Sequence, residues 1–414
     1  MQRAVLSLRE RPALVGAAWL FVAVNIANVL AYLYQVVMLR LLSPADFALL
    51  VSLFAALIIE AQGIALLQNT AAKVVADRRA VGDLAGAGAF AWRWGIRIAL
   101  AVALPAAAIA LASPLLASAV AFPPAAIVML GASLLCAALF AFGAGLLQGL
   151  ARFGWLGAIY IWQAGARLVL GVAFVLAGLG VVGAFGGASA ALALSFLATF
   201  FALRGALPRP TGAAEPPAAA GVFLGAAGLL LFYALLVNAD ALLAPILLRP
   251  ADAGAYAAAV TMGKIALFAP LGLSVFLMER TAHAHALGRP TRPTLYLVLL
   301  AVLAVSGTVA AVYLAAPRLA ARIVAGESYE LPVAVIVGTY GVAALSNALL
   351  NVWAVYFVGI GRLRVTIAFA AGVIVLVFAL TSFARDPLTM ARTVLATSLG
   401  TQVVAIVAFL RTRE

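Results

Sequence analysis

The sequence predicts an all-α membrane protein of twelve transmembrane helices, arranged as two six-helix halves that are copies of one another. Three observations carry that prediction. Hydrophobic residues make up 67% of the 414-residue chain and charged residues only 9%, against roughly 25% charged in an ordinary soluble domain. Apolar runs of roughly 20 residues, the length that crosses a bilayer, recur along the whole chain. Finally, Pro44-Ala45-Asp46 returns as Pro250-Ala251-Asp252, each copy set between two long apolar runs.

The runs place spans at residues 13–38, 45–72, 93–116, 125–149, 154–177, 181–203, 222–247, 252–278, 294–316, 332–358, 363–384 and 389–410. The first follows Arg3, Arg9 and Arg11. It resembles a signal peptide in its flank but is longer than a typical signal core, and it is needed as the partner of the seventh span. The second and eighth open on the repeated Pro-Ala-Asp. Proline suits the first position of a helix, and an aspartate two residues later sits at the positive end of the helix dipole. Ser43 supplies an N-cap for the first copy. Glycine and proline interrupt the third and sixth spans. The stretch from Arg204 to Ala220, with Pro208, Pro210, Pro216 and Pro217, reads as a tether between the halves. The expected division is 1–206 for the first lobe, 207–221 for the linker and 222–414 for the second lobe.

The net charge of +13 does not point to nucleic acid, because the basic residues punctuate the gaps between apolar runs instead of forming a patch. With the N-terminus inside, eighteen basic residues fall on the cytoplasmic side. Six fall outside (Arg40, Arg249, Arg318, Arg322, Arg385 and Arg392) and two, Arg167 and Lys264, lie mid-span. That bias is what the positive-inside rule expects and puts both termini in the cytoplasm. The single cysteine, Cys136, rules out an intrachain disulfide. Two neighbouring histidines, His283 and His285, fall short of a zinc ligand set, so no metal and no cofactor is expected.

The duplication extends beyond one tripeptide. Leu41-Leu42 matches Leu247-Leu248, and Gly149-Leu150-Ala151-Arg152 is echoed by Gly359-Ile360-Gly361-Arg362. Six spans per copy is an even number, so both copies enter the membrane in the same sense. They are parallel repeats about an axis along the membrane normal, an organisation that points to a transporter.

Ionisable groups at mid-membrane are expensive and face a cavity or one another. Four are expected there: Glu60, Arg167, Asp240 and Lys264. Glu60 lies sixteen residues past Pro44 and Lys264 fourteen past Pro250, about 24 Å and about 21 Å along their helices, so the two copies carry opposite charges at similar depth. Asn25, Asn28, Tyr32 and Gln35 draw one polar stripe down the first span, with Asn238 the repeat equivalent of Tyr32. Tyr340, Asn347 and Asn351 draw another on the tenth. Such stripes either line a passage or hold helices together. The carboxylates either couple to an ion or neutralise the buried cations. The Gly143, Gly145 and Gly149 series reads as close helix packing.

Several stretches resemble the polysaccharide-transporter family, the Wzx-type lipid-linked oligosaccharide flippases of the MATE/MOP superfamily. Arg40-Leu41-Leu42-Ser43-Pro44-Ala45-Asp46-Phe47 is similar to that family's first extracytoplasmic turn. Gly145-Leu146-Leu147-Gln148-Gly149-Leu150-Ala151-Arg152-Phe153 is similar to its fourth-to-fifth helix turn. Asn238-Ala239-Asp240, Gly254-Ala255-Tyr256 and Gly263-Lys264-Ile265 are similar to its seventh and eighth helices. One departure is Leu277-Met278-Glu279-Arg280, where similar proteins often have Phe-Pro. The resemblance implies a two-lobed MATE/MOP-like fold around a central cavity that works by alternating access. It further implies a non-enzymatic flippase moving an undecaprenyl-diphosphate-linked oligosaccharide or polysaccharide precursor across a bacterial cytoplasmic membrane.

On that reading Asn25, Asn28, Gln35, Arg167, Lys264, Asn347 and Asn351 line the substrate cavity, and Glu60 and Asp240 couple transport to a proton or sodium gradient. The expected partners are the lipid-linked glycan and membrane lipid. A MATE-like drug or cation antiporter is the nearest alternative. A membrane glycan polymerase or glycosyltransferase is a lesser one, because the longest outer loop, 317–331, offers only Glu327 and Glu330 as acids and no catalytic constellation assembles.

Overall fold

The computed structural model describes residues 2–120, 122–208 and 220–411, and these are helical throughout with short turns and no β-strand. Among the described residues, eleven segments are long and apolar enough to cross a membrane. The longest, Phe153–Leu203, doubles back, so the eleven amount to twelve crossings.

In the first half, α1 (Gln2–Leu41), α2 (Pro44–Ala80), α3 (Leu84–Leu111), α4 (Ser113–Val120), α5 (Pro124–Gly149), α6 (Phe153–Phe174) and α7 (Gly180–Leu203) follow in order. In the second half come α8 (Ala220–Leu247), α9 (Pro250–Phe268), α10 (Leu271–Ala286), α11 (Arg292–Ala315), α12 (Pro317–Ala325), α13 (Glu330–Gly359), α14 (Thr366–Phe383) and α15 (Pro387–Leu410). The expected linker falls largely on residues 209–219, outside the described chain.

The first span is a longer helix than expected, starting at Gln2, and three others differ from their expected extents, each for a local reason. The second runs on to Ala80, 37 residues or about 55 Å, because nothing breaks the helix before the turn at Gly82, whose φ is +76°. The third starts nine residues early, at Leu84, because Asp83 caps it by accepting from the Gly86 N–H at 2.7 Å. Arg93 and Arg97 therefore sit on the helix, and Arg97 lies over the Trp94 ring, 5.3 Å from its centroid. The eighth is two helices, α9 and α10, because Pro270 lacks the N–H that would continue the ladder. The stretch read as the longest loop folds as well: α12 opens on Pro317 and stops at Gly326, where φ is +93°.

The chain divides into two compact units, Met1–Met38 with Gly63–Ala219 and Leu39–Gln62 with Ala220–Glu414. Within the first unit, α5 packs on α3, α4 and α7, and α6 lies along α7. Within the second, α13 packs on α11, α12 and α15, and α14 lies along α15. The fourth span of each half is thus the common support for its neighbours, and the repeat read from the sequence reappears as a repeated order of packing.

Small residues make the close crossings, as expected where lipid tails remove most of the hydrophobic drive to associate. A methyl group on Gly149 would lie 2.6 Å from the Ala72 carbonyl oxygen, joining α5 to α2. On Gly254 it would lie 2.6 Å from the Pro44 carbonyl oxygen. The two Pro-Ala-Asp helix starts therefore touch each other. Ser52 adds a hydrogen bond to the Leu242 carbonyl at 2.8 Å. Those contacts explain why residues 39–62 group with the second half.

Candidate functional site

Unit 2 contains a buried polar cluster built from α8, α9 and α13. Asp240, on α8, is fully buried, and its Oδ2 accepts hydrogen bonds from the hydroxyls of Tyr256 at 2.7 Å and Tyr340 at 3.0 Å. The two tyrosine rings meet edge to face, with centroids 5.6 Å apart. Asp240 Oδ1 is buried with no hydrogen-bond partner among the described residues. Lys264, on α9, is also buried and lies within electrostatic reach of Asp240. A carboxylate and an ammonium at membrane depth thus share one locale, as buried charges require.

Beside this cluster a small crevice is walled by polar and apolar side chains. Asn238, Lys264, Tyr340 and Asn347 give it its polar lining; Val237, Val260 and Leu267 give it its apolar one. Gly263 shapes it, because a Cβ there would lie 2.5 Å from the Tyr340 ring. Glycine before Lys264 therefore lets the ring that holds Asp240 press against α9. The Asn347 side-chain oxygen is buried and without a hydrogen-bond partner among the described residues. Its backbone carbonyl accepts from the Tyr233 hydroxyl at 3.2 Å. Asn351, one turn further on, donates to Ser274 at 3.0 Å and so ties α13 to α10. The stripe on the tenth span thus divides: Tyr340 and Asn347 face the crevice, while Asn351 holds helices together.

Glu60, also in unit 2, is half-buried, and its Oε2 has no hydrogen-bond partner among the described residues.

In unit 1 the expected residues separate by depth. Asn25 and Asn28 are exposed, Tyr32 half-buried and Gln35 buried. Asn25 bonds its own helix, at the Phe21 carbonyl, 2.8 Å away. Arg167 donates to the Ala31 carbonyl at 3.0 Å and lies over the Tyr34 ring, 4.9 Å from its centroid. The Tyr34 hydroxyl in turn donates to the Ala184 carbonyl at 2.8 Å. Arg167 is therefore engaged by α1 through an aromatic face and a backbone oxygen.

Sequence reading identified Asp240, Lys264, Tyr340 and Asn347 but not the two hydroxyl donors on one carboxylate oxygen. Tyr256 and Tyr340 stand 16 and 100 residues from Asp240, so no local spacing could reveal them. Nor did it find the cluster in which Gln68 Nε2 donates to the Tyr160 hydroxyl at 3.2 Å and to Gln148 at 3.4 Å.

The described residues thus form an all-helical bundle of two similarly packed units, with a buried acid and base beside one crevice of unit 2. More narrowly, the chain has the MATE/MOP fold. It superposes on the inward-facing conformation of a multidrug resistance MATE family transporter of the MOP superfamily with a TM-score of 0.75 at 14% identity, over 95% of this chain and 96% of that one. The eukaryotic MATE transporter AtDTX14 gives 0.66 at 16% identity over 98% and 96%. A MOP superfamily transporter from Pyrococcus furiosus, described by a reversed polarity of its binding pocket, gives 0.63 at 17% identity over 95% and 94%. No family model matches the chain, and no curated protein sequence matches it.

Proposed function

We propose that this protein is a bacterial cytoplasmic-membrane flippase that moves a diphosphate-linked lipid glycan from the inner to the outer leaflet by alternating access, with both termini cytoplasmic. The single observation that carries the substrate class is Lys264, a buried cation in the wall of a polar crevice. An ammonium in a crevice wall favours an anionic substrate over a cationic one by charge complementarity, and a drug-cation site would be weakened by it. The family resemblance of the motifs around Pro44, Gly149, Asp240 and Lys264 supports the same class, and the shared fold is compatible with transport. Arg167 in the first half is the second proposed cationic contact. Asn238 and Asn347 are suited to exchange hydrogen bonds with sugar hydroxyls. Glu60 and Asp240 are the proposed ion-coupled groups, and residues 1–206 and 222–414 the proposed lobes.

Asp240 with its two tyrosines is the feature that favours the second reading, a MATE-like cation antiporter, since a buried carboxylate suits a cation. The two readings separate in a cell lacking the gene. A flippase deletion accumulates a lipid-linked glycan on the cytoplasmic face, and Lys264→Gln fails to relieve it while reaching the membrane folded. An antiporter deletion leaves lipid-linked glycans unchanged and sensitises the cell to cationic drugs.

A further inference from the structure

Asp240 and Lys264 stand in a relation that fixes which way proton and substrate binding influence each other. We infer that the unit 2 crevice binds a proton at Asp240 and a phosphate-bearing substrate at Lys264 cooperatively, so that the two load together. The inference rests on the flippase reading and assigns the regulation of its site.

Lys264 and Tyr340 line the crevice, and Asp240 is not among its lining residues. Tyr340 is common to both: its ring walls the crevice while its hydroxyl donates to Asp240 Oδ2. An anion entering beside Lys264 therefore meets an ammonium already in the field of a carboxylate. With Asp240 ionised the pair is neutral, and the incoming phosphate both competes for Lys264 and is repelled by the carboxylate. With Asp240 protonated the locale carries one positive charge and the repulsion is gone. The charged and titratable groups that reach Asp240 from the packed elements are Tyr256 and Lys264 on α9 and Tyr340 on α13. Among these groups Lys264 is the cation. Asp240 Oδ1, buried without a side-chain hydrogen-bond partner among the described residues, is the atom left to take the proton.

Linkage is reciprocal: if protonation tightens anion binding, anion binding draws in a proton. The consequence for transport has a sign. A substrate anion leaving the cytoplasm through this site takes a proton with it, so an inward proton gradient opposes export. An inside-negative potential favours it whenever the substrate carries more than one negative charge.

The test uses the full-length protein in lipid nanodiscs and farnesyl diphosphate as probe. Titration calorimetry at about pH 8 in buffers of different ionisation enthalpy reports the protons taken up per probe bound. The expected result is uptake of about one proton by wild type and by Asp240→Glu. For Asp240→Asn it is no uptake and at least about tenfold tighter binding, within the usual span of coupling between sites. Binding by wild type without proton uptake would overturn the inference and leave the substrate class standing. Probe binding absent in wild type, or equally strong in Lys264→Gln, would overturn the substrate class itself and the inference with it. The wild-type measurement needs no variant, so a variant that fails to fold does not block the outcome.

Discussion

Asp386 illustrates how one carboxyl organises a helix start at the membrane surface. Its Oδ1 accepts from the Leu388 and Thr389 N–H groups at 3.0 and 2.9 Å, and its Oδ2 from the Thr389 hydroxyl at 2.5 Å. The Thr389 side-chain bond foremost, then those backbone bonds, hold the Asp386 carboxyl below its ordinary range. Asp386→Ala should cost about 1 kcal/mol of stability, the usual worth of an N-cap. A lowered folded-state pKa means that this contribution is present above the unfolded value, about 3.9. It is lost as pH falls through the folded one. Unfolding curves of the variant and wild type should therefore converge in acid, and an equal gap at both pH values would contradict the cap. Inside the membrane the corresponding residue is Tyr340. Replacing it by Phe removes one of two donors to Asp240 and should cost about 1.5–3 kcal/mol, the worth of a hydrogen bond to a charged group. A thermal shift in detergent measures it, and an unchanged midpoint would mean that the Asp240–Tyr340 bond contributes nothing.

Among elements, α2 and α5 depend most plainly on residue size. Gly145 and Gly149 lie against the Gln68 and Ala72 carbonyls, so a Cβ at either position meets backbone that cannot rotate away. Gly149→Val should destabilise the protein by about 1–3 kcal/mol, the usual cost of overpacking. Gly165→Ala on α6, with nothing within 4 Å, should be neutral or slightly stabilising, because alanine favours helix over glycine. Equal behaviour of the two variants in a melting assay would refute the close crossing.

The glycine spacing made that crossing legible in the sequence, but its partner was not, since only packing decides which helix fills the gap. Span positions were legible wherever charge and proline coincide with the membrane edge. They failed at α3, where Arg93 and Arg97 sit within a helix, and at Pro270, where a proline lay inside an apolar run long enough to look continuous. The site was legible in its charges, because Asp240 and Lys264 are conspicuous in apolar runs. It was not legible in its hydrogen bonds, because Tyr340 reaches Asp240 across 100 residues of sequence.

At the scale of the whole molecule, duplication provides two similarly packed units, and the sequence then makes them chemically unlike. Unit 1 carries Arg167 on an aromatic face, whereas unit 2 carries Lys264 beside Asp240 and its tyrosines. On the proposed function, the buried cation at the unit 2 crevice serves the passage of a diphosphate-linked lipid. The most direct measurement reconstitutes the purified chain into liposomes holding a fluorescent prenyl-diphosphate oligosaccharide and follows its arrival in the opposite leaflet by quenching from outside. Wild type is expected to equilibrate the probe between leaflets, and Lys264→Gln, while remaining folded, to do so no faster than protein-free liposomes. Wild-type liposomes no faster than protein-free ones, or Lys264→Gln as fast as wild type, would contradict that function.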